Sequence, residues 1–289
     1  MAGGVGVKVR DCSGRKLDGK YIVEFPRPDT RQVGPYFIRD EKLPMMRKAG
    51  IFFNWIRGYE FGDPSRNGEY RFLRLYLKGG MVIFDVGANI GDFTHQALSL
   101  EKDLEVHCFE PVKSTHSLLM ERFSSPPAEA RLVMNRVGLG DRQGEDSMKI
   151  YGECFGTNSL YERRSSIAAH PSFVASKEER VTFTTLDAYV KESGINHIDL
   201  MKIDVEGHEL KVLEGAVVSL AAGIIRCIQF EYGGTYQDSG ARLEDVFALL
   251  QGNGYVLYRL LPFGRIPVPS FHSRLENYKY SNWLAVLPA

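Results

Sequence analysis

Apolar and polar positions along the chain settle into a regular alternation of short apolar runs and amphipathic stretches from about residue 66. Met81–Val86 is an unbroken apolar run apart from Asp85, the pattern of a strand buried on both faces of a parallel sheet. Similar runs predict strands at Leu104–Phe109, Arg131–Val137, Ile198–Ile203 and Ile224–Phe230, with two closing strands at Tyr255–Leu260 and Trp283–Leu287. Helical periodicity falls between them: Tyr70–Leu77, Phe93–Leu100, Ser114–Phe123, Leu186–Glu192, Glu209–Leu220 and Leu243–Gln251. Gly79-Gly80 stops the first of these helices and Asn253-Gly254 caps the last. Strand–helix units in series predict an α/β fold: one Rossmann-like, seven-stranded, mostly parallel sheet with helices on both faces.

Two regions break the rhythm. Residues 1–65 are rich in Arg, Pro and aromatics, with Tyr36, Phe37, Phe52, Phe53 and Trp55 among them. They read as an N-terminal extension that covers the sheet or the site's mouth, or serves as a packing or dimer arm. Residues 142–180 form a polar, irregular insert, with two short strands expected near Ser147–Tyr151 and Arg180–Thr184. Residues 66–289 then make up the domain that carries the chemistry.

Bulk composition excludes several classes of function. The 289 residues are 44% hydrophobic and 25% charged, ordinary for a globular chain. Lys plus Arg and Asp plus Glu both number 36, so the basic excess of a dedicated nucleic-acid binder is missing. No apolar stretch is long enough to span a membrane, and the first residues lack the apolar core of a signal peptide. The four cysteines are widely spaced. Cys108 and Cys227 fall inside strand-like runs, which points to reduced thiols and a cytoplasmic setting.

The chemistry gathers where strands end. Asp85, Glu110, Asp141, Asp204 and Glu231 each stand at or near the C-terminal end of a predicted core strand, the edge at which α/β sheets bind ligands. Asp85-Val86-Gly87-Ala88-Asn89-Ile90-Gly91 joins a strand to a helix. Gly87 is expected to let the backbone approach a ligand and Gly91 to allow close helix packing, with free helix N–H groups facing the ligand. Glu110 is placed to accept both hydroxyls of a ribose, which suits NAD and S-adenosylmethionine equally. Asp204-Val205-Glu206-Gly207-His208-Glu209 puts acids and a histidine at one strand end. Glu206 or His208 is the candidate proton acceptor, and Asp204 and Glu231 are candidates to orient a substrate. Tyr232 is a candidate pocket wall. Mg²⁺ held by Asp204, Glu206 and Glu231 is a minor alternative. His208-Glu209 opens an HExxH pattern, but Val212 occupies the second His position.

Taken together, FDVGANIGDFT (84–94), FEPV (109–112), GLGDRQG (138–144), TLDAYV (185–190), IDLMKIDVEGHELKVLEGA (198–216) and IQFEY (228–232) resemble the FkbM-type family of S-adenosylmethionine-dependent methyltransferases. The resemblance implies the class I methyltransferase sheet, S-adenosylmethionine as cofactor, and methylation of a hydroxyl on a sugar, glycoconjugate or polyketide-like acceptor. It places Gly87, Ala88, Asn89, Gly91 and Thr94 around the methionine end, Glu110 at the ribose, and Leu139 and Asp141 near the adenine. Asn158 and Ser159 match a short polar motif that reaches the pocket from the insert. Small-molecule or saccharide acceptors are the implied partners, and self-association stays open. The rival readings are an NAD-dependent oxidoreductase and a non-catalytic nucleoside-binding protein. Ala88 departs from the GxGxxG pattern of the former, and the chain has no Tyr-x-x-x-Lys pair.

Overall fold

The computed structural model describes residue 54 and residues 57–59, 62–151, 156–164 and 174–288. The aromatics Tyr36, Phe37, Phe52, Phe53 and Trp55, most of the N-terminal extension, the centre of the insert, and Cys12 and Cys154 lie outside the described residues.

Two short helices, α1 (Pro64–Asn67) and α2 (Glu69–Tyr76), lead into β1 (Met81–Val86). The alternation then runs α3 (Asp92–Leu100), β2 (Leu104–Phe109), α4 (Lys113–Arg122), β3 (Arg131–Asn135) and β4 (Gly138–Leu139). The insert supplies β5 (Gly144–Ile150) and β6 (Lys177–Thr184), followed by α5 (Leu186–Ser193) and β7 (Leu200–Ile203). After α6 (Glu209–Glu214) and α7 (Val217–Ala221) come β8 (Cys227–Tyr232), α8 (Gly234–Ser239), α9 (Leu243–Gly252), β9 (Val256–Leu261), β10 (Gly264–Pro267) and β11 (Ser281–Val286).

The main sheet has the order β10-β9-β11-β8-β7-β1-β2-β3. From β3 to β8 the strands pair in parallel, and β11 enters antiparallel between β8 and β9. The seven expected strands are all present, in the Rossmann-like arrangement. An eighth, β10, adds to the edge as a hairpin on β9, and Pro267 at its end is tolerated because an edge strand does not need every N–H.

Period-two alternation along β1 sends Val82, Phe84 and Val86 into one core and Ile83 into the other. The first core also takes Leu186 and Val190 of α5, Val212 and Leu213 of α6, and Val246, Phe247 and Leu250 of α9. The second takes Phe72 and Leu73 of α2, Phe93, Ala97 and Leu98 of α3, and Leu119 of α4. Burial on both faces explains why the central strands read as near-continuous apolar runs.

Two expectations need correction. The third core strand ends at Asn135, and Gly138–Leu139 belongs to a separate three-stranded sheet, β4-β6-β5. Asp141 therefore does not close a core strand. The single helix expected over Glu209–Leu220 is broken into α6 and α7 at Gly215-Ala216. A Cβ on Gly215 would stand 1.9 Å from the Gly140 carbonyl oxygen, so the backbones meet where the helix breaks. Among the described residues no helix is long and apolar enough to cross a membrane. Cys108 and Cys227 are buried free thiols, as their strand positions implied.

Candidate active site

Sheet register assembles the site. Val86 pairs with Phe109 on one side and with Ile203 on the other, so the residues that follow, Gly87, Glu110 and Asp204, leave three adjacent strands side by side. The strand order reverses between β1 and β7, the switch point at which such sheets bind ligands. A cleft of about 620 Å³, partly open to solvent, lies there.

Gly87 has φ +81° and a Cβ there would come 2.0 Å from the Asp204 carbonyl oxygen. Only glycine suits that conformation beside that neighbour. Its lack of a side chain thus admits the backbone of the neighbouring strand end, and Gly87 itself lines the cleft. Gly87 and Ala88 both donate N–H to the Phe109 carbonyl at 3.0 Å, which ties the turn to β2. Asn89 then adopts φ +49° and Glu206 φ +56°, left-handed conformations unusual for residues with side chains. Both residues line the cleft, where backbone strain of this kind tends to collect.

Glu110 is buried at the cleft wall. Its Oε2 accepts the Asn89 N–H at 3.0 Å and its Oε1 the Val112 N–H at 2.9 Å. A carboxylate offers about four acceptor positions, so two remain for a ligand. Burial pushes its pKa up to about 7, partly countered by those two N–H groups.

The cleft lining mixes two kinds of side chain: the apolar Phe109, Pro111, Leu139, Met148, Leu160 and Phe183, and the polar Asn89, Asp204, Glu206 and Asn158. The Thr115 hydroxyl lines the cleft and is buried without a hydrogen-bond partner among the described residues. An apolar slot, a wall acid with free acceptor positions and an orphaned hydroxyl fit a nucleoside.

Asp204 is held by Lys202, whose Nζ donates to Oδ2 at 3.0 Å. Lys202 is buried in β7 and also stands 4.0 Å from Oδ1 of the fully buried Asp85. Burial works against its charge, but the Asp204, Asp85 and Glu69 carboxylates outweigh it and keep its pKa raised. Glu206 forms an ion pair with Arg163, brought in by the insert. Burial raises the Glu206 pKa and the Arg163 guanidinium opposes the rise. Both carboxylates thus carry a cationic side chain, and among the described residues no group of three or more metal-ligating side chains is arranged around a common point. That arrangement does not support Mg²⁺ at Asp204, Glu206 and Glu231.

The insert closes one wall. Ser159 Oγ donates to the Glu206 carbonyl at 3.0 Å, and Asn158 lines the cleft while its Oδ1 accepts the Tyr151 N–H at 3.0 Å. Tyr161 OH and His208 Nδ1 share a hydrogen bond of 2.8 Å. Burial pushes the His208 pKa down to about 4.

Several expected site residues serve elsewhere. Asp85 lies under the loop, where its Oδ2 accepts the Thr94 hydroxyl at 2.6 Å. Thr94 and Ala88 are buried, and neither lines the cleft. Gly91 leaves room for Leu119 and Phe123 at the end of α4. Asp141 pairs with Lys211 at 3.1 Å and with Arg142 at 3.5 Å, away from the cleft lining. Tyr232 is buried and does not line the cleft; its OH donates to Glu276 at 3.0 Å and accepts the Tyr278 N–H at 2.8 Å. Glu231 is partly exposed but does not line the cleft. Burial and the neighbouring carboxylates of Asp204, Glu206 and Glu209 hold its pKa well above the usual range.

Sequence reasoning passed over Lys202, Arg163 and Thr115. Lys202 carried a usable signal, a cation inside the apolar LMKI strand, since buried lysines need partners. The other two carried none, because only the fold of the insert sets Arg163 against Glu206 and only the placement of α4 brings Thr115 to the cleft.

Comparison with known proteins agrees with this geometry. A family model described as the methyltransferase FkbM domain matches residues 85–257. Hexuronic acid methyltransferase AglP of Haloferax volcanii is 32% identical over 158 residues, 53% of this chain and 58% of that protein, so this chain spans less than two thirds of it. The 31-O-demethyl-FK506 methyltransferase FkbM of Streptomyces tacrolimicus is 28% identical, over 66% of this chain and 83% of its own length. The 2-O-methyltransferase NoeI of Sinorhizobium fredii is 26% identical, over 70% of this chain and 82% of its own length.

Proposed function

The chain belongs to the FkbM methyltransferase family, and from that premise we propose that it uses S-adenosylmethionine to methylate a hydroxyl of a sugar, glycoconjugate or polyketide-like acceptor. The observation that carries the reading is the convergence of Asn89, Glu110, Asp204 and Glu206 on one cleft whose lining also holds apolar side chains. The names of two relatives support an oxygen acceptor, a 31-O-demethyl-FK506 methyltransferase and a 2-O-methyltransferase, and that of a third, a hexuronic acid methyltransferase, supports a saccharide.

When bound, the cofactor supplies a sulfonium methyl group whose departure leaves a neutral thioether. The chain must then hold the acceptor oxygen in line, keep water out and take one proton. Glu110 is assigned to the ribose hydroxyls, and Thr115 with the apolar side chains of the cleft to the nucleoside. Asn89 is assigned to the methionine end. Glu206 is the proton acceptor: Arg163 fixes one carboxylate oxygen and leaves the other for the acceptor hydroxyl. Burial lifts its basicity toward the working range of a general base. Asp204, anchored by Lys202, is assigned to orient the acceptor.

Calorimetric titration with S-adenosylmethionine and with NAD tests the cofactor. Heat from the first alone is the expected result, and binding of NAD alone would defeat the reading. Formation of S-adenosylhomocysteine with a panel of glycosides and macrolide alcohols then tests the acceptor class.

A further inference from the structure

His208 is the residue of the DVEGHE segment whose surroundings differ most from a proton acceptor's. Its ring centroid lies 5.6 Å from that of Phe183 and 5.9 Å from that of Tyr161. A Cβ on Gly140 would approach His208 Nε2 to 3.0 Å, so the ring leans on the strand end that follows Gly138–Leu139. Gly138, Leu139 and Phe183 line the cleft together with His208. Nδ1 is already engaged by the Tyr161 hydroxyl, which fixes the ring plane and leaves Nε2 as the other polar atom.

We propose that His208 recognises the adenine edge of the cofactor, held in place by Tyr161, and does not take the acceptor's proton. The proposal rests on the cofactor reading above. A purine is the flat, apolar part of the nucleoside and needs a slot with one or two polar atoms aimed at its edge. The cleft supplies Leu139 and Phe183 for its faces, and His208 stands beside Phe183 with Nε2 as its second polar atom. Tyr161 is a positioning residue: without its hydroxyl the imidazole is free to rotate.

The test needs no acceptor. Wild type, His208→Ala, His208→Gln and Tyr161→Phe are titrated calorimetrically with S-adenosylhomocysteine and with S-inosylhomocysteine, which differ only at the purine edge. Wild type is expected to favour the adenosyl ligand by about tenfold or more, because a site built to hydrogen-bond a group rejects the analogue lacking it. His208→Ala should weaken the adenosyl ligand about tenfold and bring the ratio near one, with Tyr161→Phe in between. His208→Gln keeps a polar side chain and serves if alanine unfolds the loop. Unchanged affinities and an unchanged ratio in the His208 variants would overturn the assignment and return His208 to the acceptor side. Wild type that binds neither ligand would overturn the cofactor reading itself, a different result from the same titration.

Discussion

The guanidinium of Arg163, carried by the insert, pairs with the carboxylate of Glu206 beyond the end of β7. The two side chains are only 9% and 18% exposed, so the pair is mostly shielded from water. Removing one partner of such a pair costs about 3–5 kcal/mol when fully buried, and the partial exposure of Glu206 puts this one near the lower end. Arg163→Met should therefore lower the unfolding free energy by about 2–3 kcal/mol in urea titrations. The double variant Arg163→Met, Glu206→Leu should regain most of that loss, since no uncompensated charge remains. It should stay inactive in a turnover assay. A double variant that transfers methyl groups at the wild-type rate would remove Glu206 from the mechanism.

Lys202 predicts a pH-dependent defect. It is the cation beside both Asp85 and Asp204. In Lys202→Met the buried Asp85 carboxyl keeps the hydroxyl and backbone N–H of Thr94 but no cation beside it, and its folded pKa should rise further. A group raised in the folded state favours its protonated form, so its contribution is fully present below the unfolded value and is lost as pH rises through the folded one. The stability gap between wild type and Lys202→Met should thus be wider at pH 8 than at pH 5. Denaturant midpoints at the two pH values measure it, and a gap that is constant or narrows at pH 8 would contradict the assigned role of Lys202.

Gly87 offers a backbone test. Its φ of +81° and the 2.0 Å approach of the Asp204 carbonyl to a would-be Cβ leave no low-energy conformation for alanine. Gly87→Ala should destabilise the fold by well over the ~1 kcal/mol of an ordinary glycine replacement, and should weaken cofactor binding by displacing the loop that carries Asn89. Urea unfolding and titration of the folded fraction check both. A stable Gly87→Ala with normal binding would show that β1 and β7 can separate at this point at little cost.

The contrast between Gly87 and Arg163 shows what the sequence could convey. The central strands were legible because burial on both faces writes an unbroken apolar run, and the acids at Glu110 and Asp204 were legible because they end such runs. The contact of Gly87 with the Asp204 carbonyl was not, since a DxG pattern says that a side chain must be absent without naming every neighbour that fills the space. Asp141 was misplaced because β4, two residues long, is too short to write an alternation of its own. Arg163 sits in the polar insert, where periodicity is weak, and it meets Glu206 only through the β4-β6-β5 sheet that brackets the insert. The break between α6 and α7 depends on Gly140, 75 positions before Gly215, and no local pattern carries that.

Glu110 gives the sharpest solution test of the cofactor site. Burial pushes its pKa up to about 7 in the free protein, above its unfolded value, so its own contribution to stability declines as pH climbs from about 4.5 to 7. Ligand binding runs the other way. Ribose hydroxyls donate hydrogen bonds, so they need the ionised carboxylate, and a proton on Glu110 must leave before they dock. The affinity for S-adenosylhomocysteine should rise with pH and level off above 7, with a difference of up to about thirtyfold between pH 5.5 and 8.5. The ligand's own amino group also titrates in this range, and Glu110→Gln supplies the baseline that removes it. The ratio of wild-type to Glu110→Gln affinity should carry the whole pH dependence assigned here. A ratio that stays flat across the range would mean that Glu110 accepts only its two backbone N–H groups and does not hold the ribose.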